Sequence, residues 1–368
     1  MSERRATDLS PIVRRITISL ALLVLFIPGV MQAQAIIKVN DNVNVKFGTL
    51  IQTWADEAQD PITKGYAQNL FLRRMRFLVG GQLAPNITFF FETDNPNLGK
   101  APKSLGTGFI TQDAFIEWKP TNSNSLAIAA GLILPPLCRN CLESAATLLS
   151  LDYGAFSFTE SAATQSSVGR DTGVQARGYA NNGHFEWRAG VFQGFRAAGS
   201  RNPMRVTGRV FYNFLDPEVG FFYPGMYFGN KRVFGLGAGA DHQMDYNANS
   251  VDAFLSLPTA AKNAFNAEAT FLKFDGGTTF TTVPEQTDVT AQAGFYLAGP
   301  KVMPFVRYEK QDFKTAANNP KDNSRYQAGL TWYPNGHNFN IKGAYSHVSP
   351  RVGNKTDQFT VQMQFFYY

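Results

Sequence analysis

The sequence predicts an all-β chain closed into a 16-stranded antiparallel transmembrane β-barrel. Three observations predict it. Apolar and polar residues alternate with a period of two down to the last residue. The links between alternating runs are short and long in turn. And the composition is heavy in Phe (32) and Gly (32), with 44% apolar and only 17% charged residues over a length of 368. Such a balance argues against a helical bundle, a helical membrane protein or a disordered chain. Two Cys cannot staple a disulfide-rich scaffold.

The first element is a leader. Arg4, Arg5, Arg14 and Arg15 precede an apolar run from Ile16 to Val30, and Ala33-Gln34-Ala35 follows as a cleavage pattern. Residues 1–35 therefore read as a secretory signal peptide, and 36–368 as the exported barrel. The apolar run is short for a membrane anchor, and no later stretch reaches 18 apolar residues. The leader takes four arginines and two acids with it, which lowers the net charge from +6 to +4. That balance does not point to nucleic acid as a partner.

Strands are expected at 43–54, 69–82, 86–94, 109–119, 125–134, 170–180, 184–194 and 205–215. The second half supplies 232–243, 251–257, 264–274, 288–298, 302–313, 324–333, 338–348 and 357–368. In the last of these, Phe359, Val361, Met363, Phe365 and Tyr367 share one face, and Gln358, Thr360, Gln362 and Gln364 the other. Val206, Val210, Tyr212 and Phe214 oppose Arg205, Thr207, Arg209 and Asn213 in the same way. The weakest run is 251–257. An even count suits a closed bacterial outer-membrane barrel.

Tight turns are expected at Ala84-Pro85-Asn86, Thr121-Asn122-Ser123, Asn181-Asn182-Gly183, Gly299-Pro300 and Asn335-Gly336. Long links fall at 55–68, 95–108, 135–169, 275–287, 314–323 and 349–356. Two links break the rhythm: 216–231 is long where a turn is due, and 244–250 short where a loop is due. A soluble β-sandwich would alternate likewise with its apolar faces inward, but sixteen strands would make it unusually large. Aromatics near strand ends (Trp54, Trp118, Trp332, Tyr333, Phe339, Phe365, Tyr367) suit an interfacial girdle instead.

Several runs resemble the phosphate-selective porin O and P family. They are Leu72-Arg73-Arg74-Met75-Arg76-Phe77, Asp113-Ala114-Phe115-Ile116-Glu117-Trp118, Arg170-Asp171-Thr172-Gly173-Val174-Gln175 and Gly190-Val191-Phe192-Gln193-Gly194. Gly237-Ala238-Gly239-Ala240-Asp241, Asp252-Ala253-Phe254-Leu255-Ser256-Leu257-Pro258 and Arg307-Tyr308-Glu309 complete the set. The resemblance implies a homotrimer, a third loop folded into the lumen, and anion transport along wall arginines.

Strand parity turns Lys46, Arg74, Arg76, Arg177, Arg188, Arg205, Arg209, Arg307, Arg325 and Lys342 to the lumen. It turns Glu92, Asp94, Asp113, Glu117, Glu186, Asp241, Asp252, Glu268 and Glu309 the same way. A barrel of this size is expected to enclose water. A strip of Arg facing a strip of acid would carry anions through it; Arg–acid pairs would only stiffen the wall. The 135–169 link resembles the constriction loop and carries Arg139, Glu143, Asp152 and Glu160, but no Lys. That departs from the phosphate binders of the family, whose narrowing is lined by lysines. Cys138-Arg139-Asn140-Cys141 suggests a local disulfide or two free thiols rather than zinc, for which two more ligands are missing. Loop bases Lys100, Lys103, Arg196, Arg201, Arg351 and Lys355 either gather anions or face lipopolysaccharide.

The expected function is a passive outer-membrane porin for small hydrophilic solutes, with modest preference for anions such as phosphate, and without cofactor or metal. A non-selective porin is the alternative. A barrel enzyme would need a Ser–His pair with an orienting group on the lipid face; His347 near Ser349 lacks a visible third member. A receptor for larger ligands would need a plug domain or a ladder of lumen aromatics. Phe90, Phe115 and Phe192 look too scattered for a ladder.

Overall fold

A computed structural model describes residues 35–121, 123–196 and 203–368. The predicted leader up to Gln34, turn residue Asn122 and loop residue Arg201 lie outside them. The strands are β1 (Ala35–Asn40), β2 (Val43–Gln59), β3 (Tyr66–Ala84), β4 (Ile87–Asp94), β5 (Ile110–Trp118) and β6 (Ala127–Ile133). They continue as β7 (Asp171–Ala180), β8 (Phe185–Phe192), β9 (Arg205–Asn213), β10 (Val233–Gln243), β11 (Tyr246–Pro258) and β12 (Ala264–Asp275). The last five are β13 (Gln286–Tyr296), β14 (Val302–Phe313), β15 (Asn323–Asn335), β16 (Phe339–Pro350) and β17 (Thr356–Tyr367). Each neighbouring pair is antiparallel, and β17 closes on β2 from Gln358↔Ala58 to Tyr367↔Thr49. The barrel is thus β2 to β17, sixteen strands with no free edge.

Every expected strand is present. The unexpected one is β1, an exposed segment that pairs with the first residues of β2 below the point where β17 ends. The weak run 251–257 belongs to a longer strand, β11, so the short loop before it is only Met244-Asp245. Its first turns escape an apolar periodicity because Asn247 and Asn249 point outward near the loop end, where the outer face meets water instead of lipid.

Phase is as expected along most of the wall. On β9 the inward Arg205, Thr207, Arg209, Phe211 and Asn213 are buried, and the outward Val206, Val210 and Tyr212 are exposed. Two girdle assignments fail. Trp54 is inward, because β2 runs on to Gln59 and Trp54 shares its phase with Leu50, Gln52 and Asp56; its Nε1 donates to Gln362 Oε1 at 2.7 Å. Tyr333 is inward too and 1% exposed. Trp118 and Trp332 are outward and exposed. A closed barrel with polar groups turned in and apolar residues turned out is an outer-membrane structure.

The largest difference from expectation lies in the lumen. The 134–170 loop enters it from the loop end. The long link 214–232 is at the turn end, as its place in the order requires, but it folds inward and meets that loop. Tyr223 N donates to Leu142 O at 3.1 Å, Ser144 N to Tyr223 O at 3.0 Å, and Gly225 N to Thr147 O at 3.0 Å. Gly225 allows this approach: a Cβ there would stand 2.6 Å from Leu149 N and Thr147 O. Leu149 and Leu151 pack with Met226 against inward Met303, Phe305 and Tyr333. Phe90 and Phe115, scattered in sequence, are gathered by Phe221 and Phe222 of the inward link, with ring centroids 4.6 Å apart for Phe115 and Phe221. Phe192 joins the same cluster.

Candidate functional site: the filled lumen and the outer vestibule

The inward charges of β3 to β11 are matched strand by strand. Arg76 binds Glu92, and Asp94 at 2.9 Å; Arg177 binds Glu117 at 2.8 Å; Arg188 binds Glu186 at 2.5 Å; Arg209 binds Asp252 at 2.5 Å. Asp113 holds Arg170 at 3.0 Å, and Arg205 holds Asp241 and Asp171. All these side chains are buried. Arg188 and Glu186 pair along one strand and Arg76 pairs with the adjacent β4, whereas Arg177 and Arg209 reach over the small residues of an intervening strand, Ala129 of β6 and Gly237 of β10, to acids on the same inner face. A segregated strip of free arginines is therefore absent over these strands, and the expected water-lined wall is replaced by protein. Lys46, at the turn end, lies over the ring of Tyr368, 4.3 Å from its centroid.

The 134–170 loop is strapped to the wall on several sides. Asp152 binds Arg73 at 2.8 Å and Arg74 at 2.5 Å. Burial pushes the Asp152 carboxyl up, but the two guanidinium groups outweigh it and hold it well below the usual carboxylate range. Lys342 Nζ donates to Leu148 O and Ser150 O, both at 2.6 Å. Arg307 donates to Ser150 Oγ at 2.9 Å and Asp152 O at 2.6 Å, and binds Glu309. Arg139, expected at a constriction, is wholly buried. It forks onto Glu218 of the inward link at 2.7 and 2.9 Å and lies over Phe254. Glu143 is equally buried, beside Asn140 at 3.0 Å. The Cys138 and Cys141 sulfurs are bonded to each other in the same stretch.

Above the loop a cavity of about 530 Å³ opens toward the loop end. Its bases are Arg73, Arg74, Lys100, Arg307 and Arg325; its acids are Asp152 and Glu309. Arg325 stands directly across from Glu309, but Glu309 is taken by Arg307 and by Ala155 N at 2.6 Å. Arg325 is exposed and, among the described residues, has no ion-pair partner. Lys100 is tied to Asp56 at 2.9 Å. Of the other loop bases, Arg196 binds Asp171 and Arg351 binds Asp322.

Arg73 is a lumen residue that strict parity misses. The β2–β3 register slips between Gln52 and Thr53, and the extra residue on β3 lets Arg73 and Arg74 both reach Asp152. The doubled arginine in an otherwise alternating run is the trace of that bulge in the sequence. Glu218 and Tyr223 were hidden in a segment that read as a mere link. On the outer face, His347 Nδ1 lies 2.7 Å from Asp357 Oδ1, the orienting group invisible in sequence. No serine hydroxyl among the described residues is hydrogen-bonded to His347.

No family model matches the chain, and no curated protein does. Solved structures do. Salmonella typhi OmpF, complexed with daunomycin, is 14% identical with a TM-score of 0.62, over 90% of this chain and 99% of that one. An anion-selective porin from Comamonas acidovorans is 13% identical with a TM-score of 0.61, over 88% of this chain and all of that one. The Acinetobacter baumannii outer-membrane channel DcaP is 10% identical with a TM-score of 0.58, over 90% and 99%. These likenesses support the porin fold in general and not the phosphate-selective O and P family in particular. The chain folds as a bacterial outer-membrane porin.

Proposed function

We propose that the protein is a passive outer-membrane porin for small hydrophilic solutes, with a modest preference for anions such as phosphate. The observation that carries this reading is the outer vestibule: five bases against two acids, with Arg325 exposed and uncommitted. Arginine's planar fork suits phosphate and carboxylate oxygens. A positive mouth with low-dielectric walls raises the local concentration of anions ahead of the narrowing. The absence of Lys from 135–169 favours weak, passing contacts over tight phosphate capture. The runs that resemble the phosphate-selective porin O and P family, such as Leu72-Arg73-Arg74-Met75-Arg76-Phe77, are in keeping with the same solute class. They also support assembly as a homotrimer, exported with its leader and embedded in lipid and lipopolysaccharide. Because the inward groups of β3 to β13 are mostly covered, the conductance should be small for a barrel of sixteen strands.

The test is the zero-current potential of the refolded mature chain in a salt gradient across a planar bilayer, repeated with phosphate. The expected result is an anion-selective potential that Arg325→Ala moves toward neutrality. A cation-selective potential, or one that Arg325→Ala leaves in place, overturns the anion preference.

A further inference from the structure

The outer vestibule has a second kind of wall that the preference for anions does not use. Gln327 on β15, Ser346 on β16 and Gln358 on β17 stand directly across from one another on three successive strands. Thr360 lies two residues further along β17, on the same inner face. All four line the cavity, and none is charged. They are bonded among themselves: Gln327 Nε2 donates to Ser346 Oγ at 2.9 Å, and Gln358 Nε2 to Thr360 Oγ1 at 3.2 Å. That pattern leaves both hydroxyl protons and both amide oxygens without a partner among the described residues. Arg325 stands two residues from Gln327 toward the loop end, on the same face and roughly 7 Å away along the strand.

The other bases of the cavity are engaged: Arg73 and Arg74 hold Asp152, Lys100 holds Asp56, and Arg307 holds Glu309. The site therefore offers one uncommitted positive charge beside a row of mixed donors and acceptors. A simple oxyanion satisfies Arg325 but leaves the amide oxygens of the row unmatched, because ionised oxygens only accept. A flat aromatic acid finds the rings of the cavity occupied: Arg73 lies over Trp54 at 5.5 Å, Lys100 lies over Phe71 at 4.6 Å, and the two rings pack edge to face at 5.9 Å. A hydroxyl both donates and accepts, so a run of hydroxyls matches the row group by group. We infer that the vestibule binds a polyhydroxylated monocarboxylate, a sugar acid, with its carboxylate on Arg325 and its hydroxyls along Gln327, Ser346 and Gln358. The volume of about 530 Å³ is that of a small-molecule pocket. The inference rests on the porin reading and names the solute class of that same vestibule.

The experiment titrates the chloride current of the mature chain in a planar bilayer with D-glucuronate, and in parallel with acetate, glucose and phosphate. Glucuronate should half-block the current at a concentration about ten-fold lower than acetate or glucose, the contribution of one or two hydrogen bonds. Gln327→Leu should raise the half-blocking concentration of glucuronate to that of acetate, and Arg325→Ala should raise it to that of glucose. Ser346→Ala, a milder change on the next strand, should raise it about three-fold and serves if Gln327→Leu does not fold. Glucuronate that blocks no better than acetate means that charge alone is read, and overturns the inference. So does equal block by glucose, stronger block by phosphate, or a folded Gln327→Leu chain that glucuronate blocks as it does wild type. In each of these cases chloride still flows and the porin reading stands. A chain that opens no chloride conductance overturns that reading and the inference with it.

Discussion

Arg76 sits between Glu92 and Asp94 with little exposure, and its worth to the protein is structural. Arg76→Ala leaves two buried carboxylates without their cation, which costs about 3–5 kcal/mol. The expected outcome is a lower urea midpoint for unfolding in detergent, with an unchanged anion-to-cation permeability ratio. Arg325→Ala should do the reverse: a changed ratio and an unchanged midpoint. Glu160 gives a pH signature. Burial pushes its carboxyl up to about 7 against the pull of Arg205, which lies 3.7 Å away and is held more closely by Asp241. Between the ordinary glutamate value and about 7, the folded chain keeps a proton that the unfolded chain loses, so stability falls as pH rises through that window. Glu160→Gln should therefore raise the unfolding midpoint more at pH 8 than at pH 5. At this scale the sequence was informative wherever strict alternation held. The inward parity of Arg76, Arg177, Arg188, Arg209 and Arg307 could be read directly, because a strand sends alternate side chains to opposite faces. Their partners could not, since pairing depends on register and on bulges such as the one that brings in Arg73.

The inward loop and the 214–232 link act as one unit, joined by backbone hydrogen bonds and by Arg139 on Glu218. Gly225 is their closest approach. Gly225→Val would set methyl groups against the backbone of Thr147 and Leu149, and the two segments would separate. Single-channel conductance should then rise about several-fold while the strand content stays the same; unchanged conductance would mean that this junction does not limit flow. The strands themselves were legible as elements, including their order and the alternation of loop and turn. The inward course of 214–232 was not. Its Phe221-Phe222-Tyr223 run has no period of two, and only the facing surfaces of β4, β5 and the loop tell where those rings go.

For the whole molecule, the decisive energy is the exchange of an oily outer band against lipid. Val210 lies mid-strand on that band, exposed, between the inward Arg209 and Phe211. Val210→Lys should cost about 2–4 kcal/mol in a bilayer near its midplane, read as a fall in folding free energy into vesicles. A far smaller loss would mean that this face is not in lipid. The sequence by itself determined the barrel: period-two patterning fixes which face is apolar, and sixteen such runs with alternating links leave closure as the way to satisfy every strand edge in a membrane. What the tertiary structure alone decided is the content of that barrel. Whether a lumen holds water or protein depends on where non-repeating segments pack and on which charges meet across strands. Neither has a period, so neither leaves a regular mark along the chain.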